Sequence, residues 1–191
     1  MINYIHDQIR ASIETKQDVL MDINLTEAIG HVANLCIDAY KRGNKVIFAG
    51  NGGSAADAQH LAAEFVSRFE YDRPGLPSLS LSTDTSMITA IGNDYGYENL
   101  FKRQLQAQSR PGDIFIGITT SGNSKNVLAA IRECEALGVT SVGLCGAGGE
   151  IHNLAEHVLA VPSTHTARIQ ECHILIGHII CGLVEQAIFP R

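Results

Sequence analysis

Apolar residues recur every three to four positions over residues 3–21 and 26–42, a period that predicts two amphipathic helices. Thr26 with Glu27 reads as the start of the second helix and Gly43 as its end. Beyond residue 44 the pattern changes. Short apolar runs at about 45–49, 78–82, 113–118, 140–145 and 157–161 alternate with helical stretches at about 54–69, 84–91, 97–109, 124–137 and 166–189. Apolar runs of this kind fit strands buried on both faces, so the alternation predicts an α/β fold with a five-stranded, mainly parallel sheet flanked by helices. No linker, repeat or low-complexity segment interrupts it. The chain is expected to be one domain, with 1–43 as a helical segment used in oligomer packing and 44–191 as the α/β core with a long C-terminal helix.

That last helix carries Ile169, Cys172, Leu175, Ile176, Ile179, Ile180, Leu183, Ala187 and Ile188 around much of its circumference. A helix apolar on most sides is buried on most sides, and at the end of a small domain this predicts packing against another subunit. Gln170, His173 and His178 interrupt the apolar surface. Gln170 and His178 fall within about 80° of each other and read as half of a site, while His173 reads as packing or rim.

Two loops carry candidate chemistry. The apolar run from Val46 to Ala49 is followed by Gly50-Asn51-Gly52-Gly53-Ser54 and then by an alanine-rich helical stretch. A glycine-rich turn at a helix N-terminus presents free N–H groups and a favourable dipole to an anion. The same residues also suit a plain tight turn at Asn51-Gly52. Neither the dinucleotide spacing nor a P-loop lysine is present, which excludes both nucleotide motifs. On the helix that follows, His60 and Glu64 are four residues apart and project from one face, about 40° apart.

The second loop, Thr119-Thr120-Ser121-Gly122-Asn123-Ser124, follows the Ile114 to Ile118 run and precedes a helix. Ser124 is placed to cap that helix. Four short hydroxyls in six residues exceed what a cap needs, and hydroxyls donate to phosphate oxygens without a charge to desolvate. Loops after two parallel strands converge at the carboxyl edge of the sheet, where open α/β folds bind ligands. Together they predict a small phosphorylated substrate.

Composition narrows the partners. With 14 Lys and Arg against 20 Asp and Glu the net charge is −6, and no basic run occurs, so nucleic acid is not an expected partner. No apolar run reaches the ~18 residues of a membrane span, and MINYIHDQIR does not read as a signal peptide. The cysteines at 36, 134, 145, 172 and 181 are scattered, odd in number and set among apolar residues, which suits free thiols in a reducing cytoplasm.

The segments NGGSAADAQH, TDTSMITAIGNDYGYE, TTSGNS and RIQECH, taken together, resemble the sugar isomerase (SIS) domain family, and within it the bacterial phosphoheptose isomerase branch. The likeness runs along essentially the whole chain. It implies a flavodoxin-like nested α/β fold, a cytoplasmic homotetramer with active sites at subunit boundaries, and conversion of sedoheptulose 7-phosphate to D-glycero-D-manno-heptose 7-phosphate for the lipopolysaccharide core. Carried over by motif, Asn51, Gly52, Gly53 and Ser54 match the first substrate loop. Asn93 and Asp94 match a sugar-contacting pair, and Thr119, Thr120, Ser121 and Ser124 match the phosphate loop. His60, Glu64, Gln170 and His178 match zinc ligands, while Glu64 and His178 also match the proposed base and acid. Glu64 and Gln170 are further expected to face the substrate.

Such an isomerase moves a proton between C1 and C2 through an enediol, which needs a base reaching both carbons and an acid at the oxygens. A carboxylate held firmly by zinc is a weak base, so the two roles of Glu64 compete. Two other readings stand beside this one. A non-catalytic SIS tetramer acting as a replication-initiation scaffold would need no acid/base pair. An isomerase of another sugar phosphate would differ only in pocket depth.

Overall fold

The computed structural model describes residues 1–191. Two helices of nearly equal length come first, α1 (Ile2–Met21) and α2 (Ile23–Lys41). The second begins earlier than its sequence suggests. Asp22 accepts from the Leu25 N–H as the N-cap, while the Thr26 hydroxyl is spent on the Ile23 carbonyl. The alternating part follows: β1 (Val46–Gly50), α3 (Gly53–Val66), β2 (Ser78–Ser80), α4 (Thr85–Tyr95), α5 (Leu100–Gln108), β3 (Ile114–Thr119), α6 (Lys125–Leu137), β4 (Thr140–Cys145), β5 (His157–Ala160) and α7 (Thr166–Ile188).

All five strands are parallel, in the order β2-β1-β3-β4-β5. The period-two alternation of the strands sorts their side chains between two cores. Val46, Phe48, Ile114, Ile116, Ile118, Val142 and Leu144 face α2, α3 and α7, while Ile47, Ala49 and Phe115 face α5 and α6. Strand order reverses direction between β1 and β3, the place where this topology opens a crevice beyond the strand ends. Both loops singled out in the sequence leave the sheet there.

By length and composition alone α7 could cross a bilayer, yet half of its most apolar stretch is buried within the protomer. It packs against α2, α3 and α1. This corrects one expectation. Ile180 is only 4% exposed and belongs to the protomer's own core, because it faces the sheet side of the helix. The exposed large apolar residues of α7 are Ile179 and Leu183. On α1, Ile2, Ile5, Ile9 and Ile13 are exposed as well, since only Thr15 and Val19 of that helix are buried.

Candidate active site

At the end of β1 the chain turns through Gly52, whose φ of 55° and ψ of −120° suit only glycine. No side chain caps α3; the Ala55 and Ala56 N–H groups donate to the Gly52 carbonyl, which leaves those of Gly53 and Ser54 at the helix start for a ligand. Asn51 is held by a reciprocal pair of amide bonds with Asn126 in the first turn of α6, at 2.8 and 2.9 Å. The Tyr97 hydroxyl donates to the same Asn51 oxygen at 2.9 Å. Asn51, Tyr97, Ser124, Lys125 and Asn126 line a cleft of about 560 Å³. Ser54 is buried under the turn.

The hydroxyl loop gathers as its composition suggests. Thr119 is buried, with its Oγ1 2.9 Å from Ser124 Oγ and 3.4 Å from Ser121 Oγ. Ser121 Oγ accepts from the Asn123 N–H. Ser124 makes no capping bond to α6, contrary to the capping role its position suggests: its hydroxyl is turned to Thr119. Thr120 is partly exposed, and its carbonyl accepts from the Gly146 N–H.

The loop after β4, residues 146–150, forms the wall behind this one. Ile151 N–H donates to the Gly122 carbonyl and Glu150 N–H to the Asn123 side chain. Gly122 and Gly149 meet so closely that neither has room for a Cβ.

A third cluster lies where α3 and α7 touch. Gly177 makes the approach possible, because a Cβ there would lie 2.5 Å from the buried Leu61 side chain. One residue from each contact point, His60 Nε2 stands 2.9 Å from His178 Nε2, and Glu64 Oε1 lies 3.2 Å from His60 Nε2. Ligand-type atoms of all three residues fall within 4.8 Å of one another. His60 Nε2 thus faces an imidazole nitrogen and a carboxylate oxygen at once, with at most one proton to offer.

Ala56, Asp57, Gln59, His60, Ile174 and His178 line a groove of about 710 Å³ beside the cluster. Asp57 points a buried Oδ2 without a hydrogen-bond partner, and burial pushes its carboxyl above the usual range against the opposing pull of His60. The Phe69 ring sits 5.3 Å from that of His178.

The other expected residues are placed as follows. The Gln170 amide lies directly against Gly53, so α7 reaches the start of α3 as well as its middle. Asn93 and Asp94 sit exposed at the end of α4 and bond to each other at 2.7 Å. His173 is fully buried, as packing. Asn126, Tyr97, Asp57 and Phe69 were not singled out from sequence. Asn126 lies two residues beyond TTSGNS and Asp57 precedes His60 by one turn, so spacing alone could have marked those two.

The SIS domain family model matches residues 10–146. A phosphoheptose isomerase of Aneurinibacillus thermoaerophilus is 59% identical over 190 residues, covering 99% of this chain and 96% of that one. Phosphoheptose isomerase 2 of Campylobacter jejuni is 58% identical, covering 99% and 94%. Among solved structures, a phosphoheptose isomerase from Francisella tularensis superposes with a TM-score of 0.93 at 36% identity, covering 97% of this chain and 98% of that one. The chain belongs to the SIS domain family and, within it, to the phosphoheptose isomerases.

Proposed function

We propose that the protein interconverts sedoheptulose 7-phosphate and D-glycero-D-manno-heptose 7-phosphate, the entry step to a heptose of the lipopolysaccharide core. The observation that carries the chemistry is the meeting of Glu64 and His178 from two different helices beside the crevice of the sheet. A non-catalytic scaffold has no use for that meeting.

The Thr119, Thr120, Ser121 and Ser124 hydroxyls, with the N-terminus of α6, hold the phosphate. This fixes the far end of the sugar and aligns C1 and C2. Asn51, Gly52, Gly53, Ser54 and Gln170 line the sugar chain, with Asn93 and Asp94 at its rim. Glu64 removes the proton from C1, and the electron pair forms the C1–C2 double bond of the enediol. Glu64 returns the proton to C2, while His178 moves the matching proton between O1 and O2.

His60, Glu64 and His178 fit a divalent cation, because three donor atoms converge with too few protons to bridge them. Two imidazoles and a carboxylate suit zinc, and Gln170, on the same helix as His178, would be the fourth residue to hold it. Bound there, zinc would polarise the sugar oxygens. No nucleotide cofactor is required.

Assembly completes the reading. The exposed isoleucines of α1 and Ile179 and Leu183 of α7 suit a homotetramer with active sites at subunit boundaries. All five cysteines are free and buried, which suits the cytoplasm. Incubating the purified protein with sedoheptulose 7-phosphate tests the assignment. An aldoheptose 7-phosphate is the expected product, and no product with zinc supplied would reject it.

A further inference from the structure

The most densely bonded group outside the reacting residues is the ion pair of Arg73 and Glu185, whose side chains are 2% and 1% exposed. Arg73 Nε donates to Glu185 Oε1 at 2.9 Å. The rest of the guanidinium is aimed at the end of α3: Nη2 donates to the Glu64 carbonyl at 2.8 Å and Nη1 to the Phe65 carbonyl at 2.6 Å. These belong to the last turn of the helix, whose carbonyls have no partner within the helix. A cation is also favoured there by the helix dipole.

The carboxylate serves the other side. Glu185 accepts from the Phe69 N–H at 2.9 Å and from the Glu70 N–H at 2.8 Å. Phe69 in turn lays its ring against His178. Glu185 is seven residues beyond His178, hence on nearly the same face of α7, about two turns along.

The pair therefore touches the backbone of the residue that bears one reacting group and, through Phe69, the ring that is the other. We propose that Arg73 and Glu185 are positioning residues for the proton transfer: a buried brace that fixes the carboxylate of Glu64 relative to the imidazole of His178. A buried ion pair is a poor source of stability compared with apolar packing of the same volume. What it supplies here is direction, since a planar guanidinium and a carboxylate fix both angle and distance for the groups they hold. The inference rests on Glu64 and His178 being the transferring pair.

The test uses the full-length protein with three variants, Glu185→Gln, Arg73→Lys and Phe69→Leu. Each is measured for kcat and KM on sedoheptulose 7-phosphate and for the ring ¹⁵N signals of His178. The first two variants are expected to lose kcat by about a hundredfold, the scale of an ångström-sized misplacement. KM should stay within about threefold, because the hydroxyl loop is untouched. Phe69→Leu keeps every hydrogen bond of the brace, so it folds even where the others do not. It should lower kcat by about tenfold and shift the His178 ring signals. Folded Glu185→Gln or Arg73→Lys protein with wild-type kcat overturns the brace, as does Phe69→Leu with both kcat and ring signals unchanged. Absence of turnover in the wild-type protein would reject the isomerase reading, while the His178 signals would still report whether the brace holds the ring.

Discussion

Asn51 and Asn126, 75 positions apart, exchange two amide hydrogen bonds and so tie the loop after β1 to the helix after β3. Each amide uses one donor and its oxygen on the other, and Asn126 Oδ1 also receives its neighbour's Val127 N–H. The two halves of the crevice are thereby fixed in register before any sugar arrives. Asn126→Ala should raise KM for the sugar phosphate by about tenfold, the scale of one or two neutral hydrogen bonds. Steady-state kinetics reads this, and an unchanged KM would show that the loops need no tie.

Ser124→Ala tests the proposed phosphate contact without removing a helix cap, since Ser124 makes no capping bond to α6. A hydrogen bond to a charged group contributes about 1.5–3 kcal/mol, so KM should rise by roughly tenfold to a hundredfold. The melting temperature should fall as well, because the buried Thr119 hydroxyl loses its 2.9 Å partner, a cost of about 1–3 kcal/mol. Wild-type KM would place the phosphate away from this hydroxyl.

Much of this was legible in the sequence. The mainly parallel sheet and the two loops at its carboxyl end follow from apolar runs and from glycine and hydroxyl clusters, while the meeting of α3 with α7 was implied only by the family resemblance, which groups His60 and Glu64 with Gln170 and His178. What escaped depends on direction rather than pattern. Ser124 occupies a capping position, but its hydroxyl bonds to Thr119 at 2.9 Å and to no N–H of α6. Ile180 looks like Ile179 in sequence, yet one faces the core and the other solvent, a 100° difference that only packing decides. Arg73 and Glu185 are ordinary surface residue types, and their burial arises from a loop folding back across α7.

That distinction moves the assembly test. Ile179→Glu or Leu183→Glu places a charge on the exposed apolar strip and should yield a smaller species on sizing chromatography, with the fold intact by circular dichroism. Ile180→Glu, by contrast, buries an unpaired carboxylate in the core and should prevent folding. A full-sized oligomer from both Ile179→Glu and Leu183→Glu would remove this strip from the interface.

His173 gives the stability a pH dependence. Both of its ring nitrogens are buried without a hydrogen-bond partner, and burial pushes its pKa down to about 4, with the Cys145 backbone opposing. Between the unfolded value near 6.5 and about 4, the unfolded chain takes up a proton that the folded one refuses. Stability from this group is therefore full above pH 6.5 and falls on acidification by about 3 kcal/mol. Urea unfolding of wild type and His173→Gln between pH 7 and pH 4.5 checks the sign. The variant should lose less over that range, and equal losses would contradict the account.

The central claim is that Glu64 and His178 transfer the protons. Its most direct measurement is the turnover of sedoheptulose 7-phosphate by Glu64→Gln and His178→Gln, each shown by titration to bind the sugar phosphate still. Loss of general acid–base catalysis predicts kcat lower by about 10²–10⁴-fold in each, with substrate affinity within about threefold of wild type. A kcat within about twofold of wild type in either variant would contradict it, since no general acid or base contributes so little.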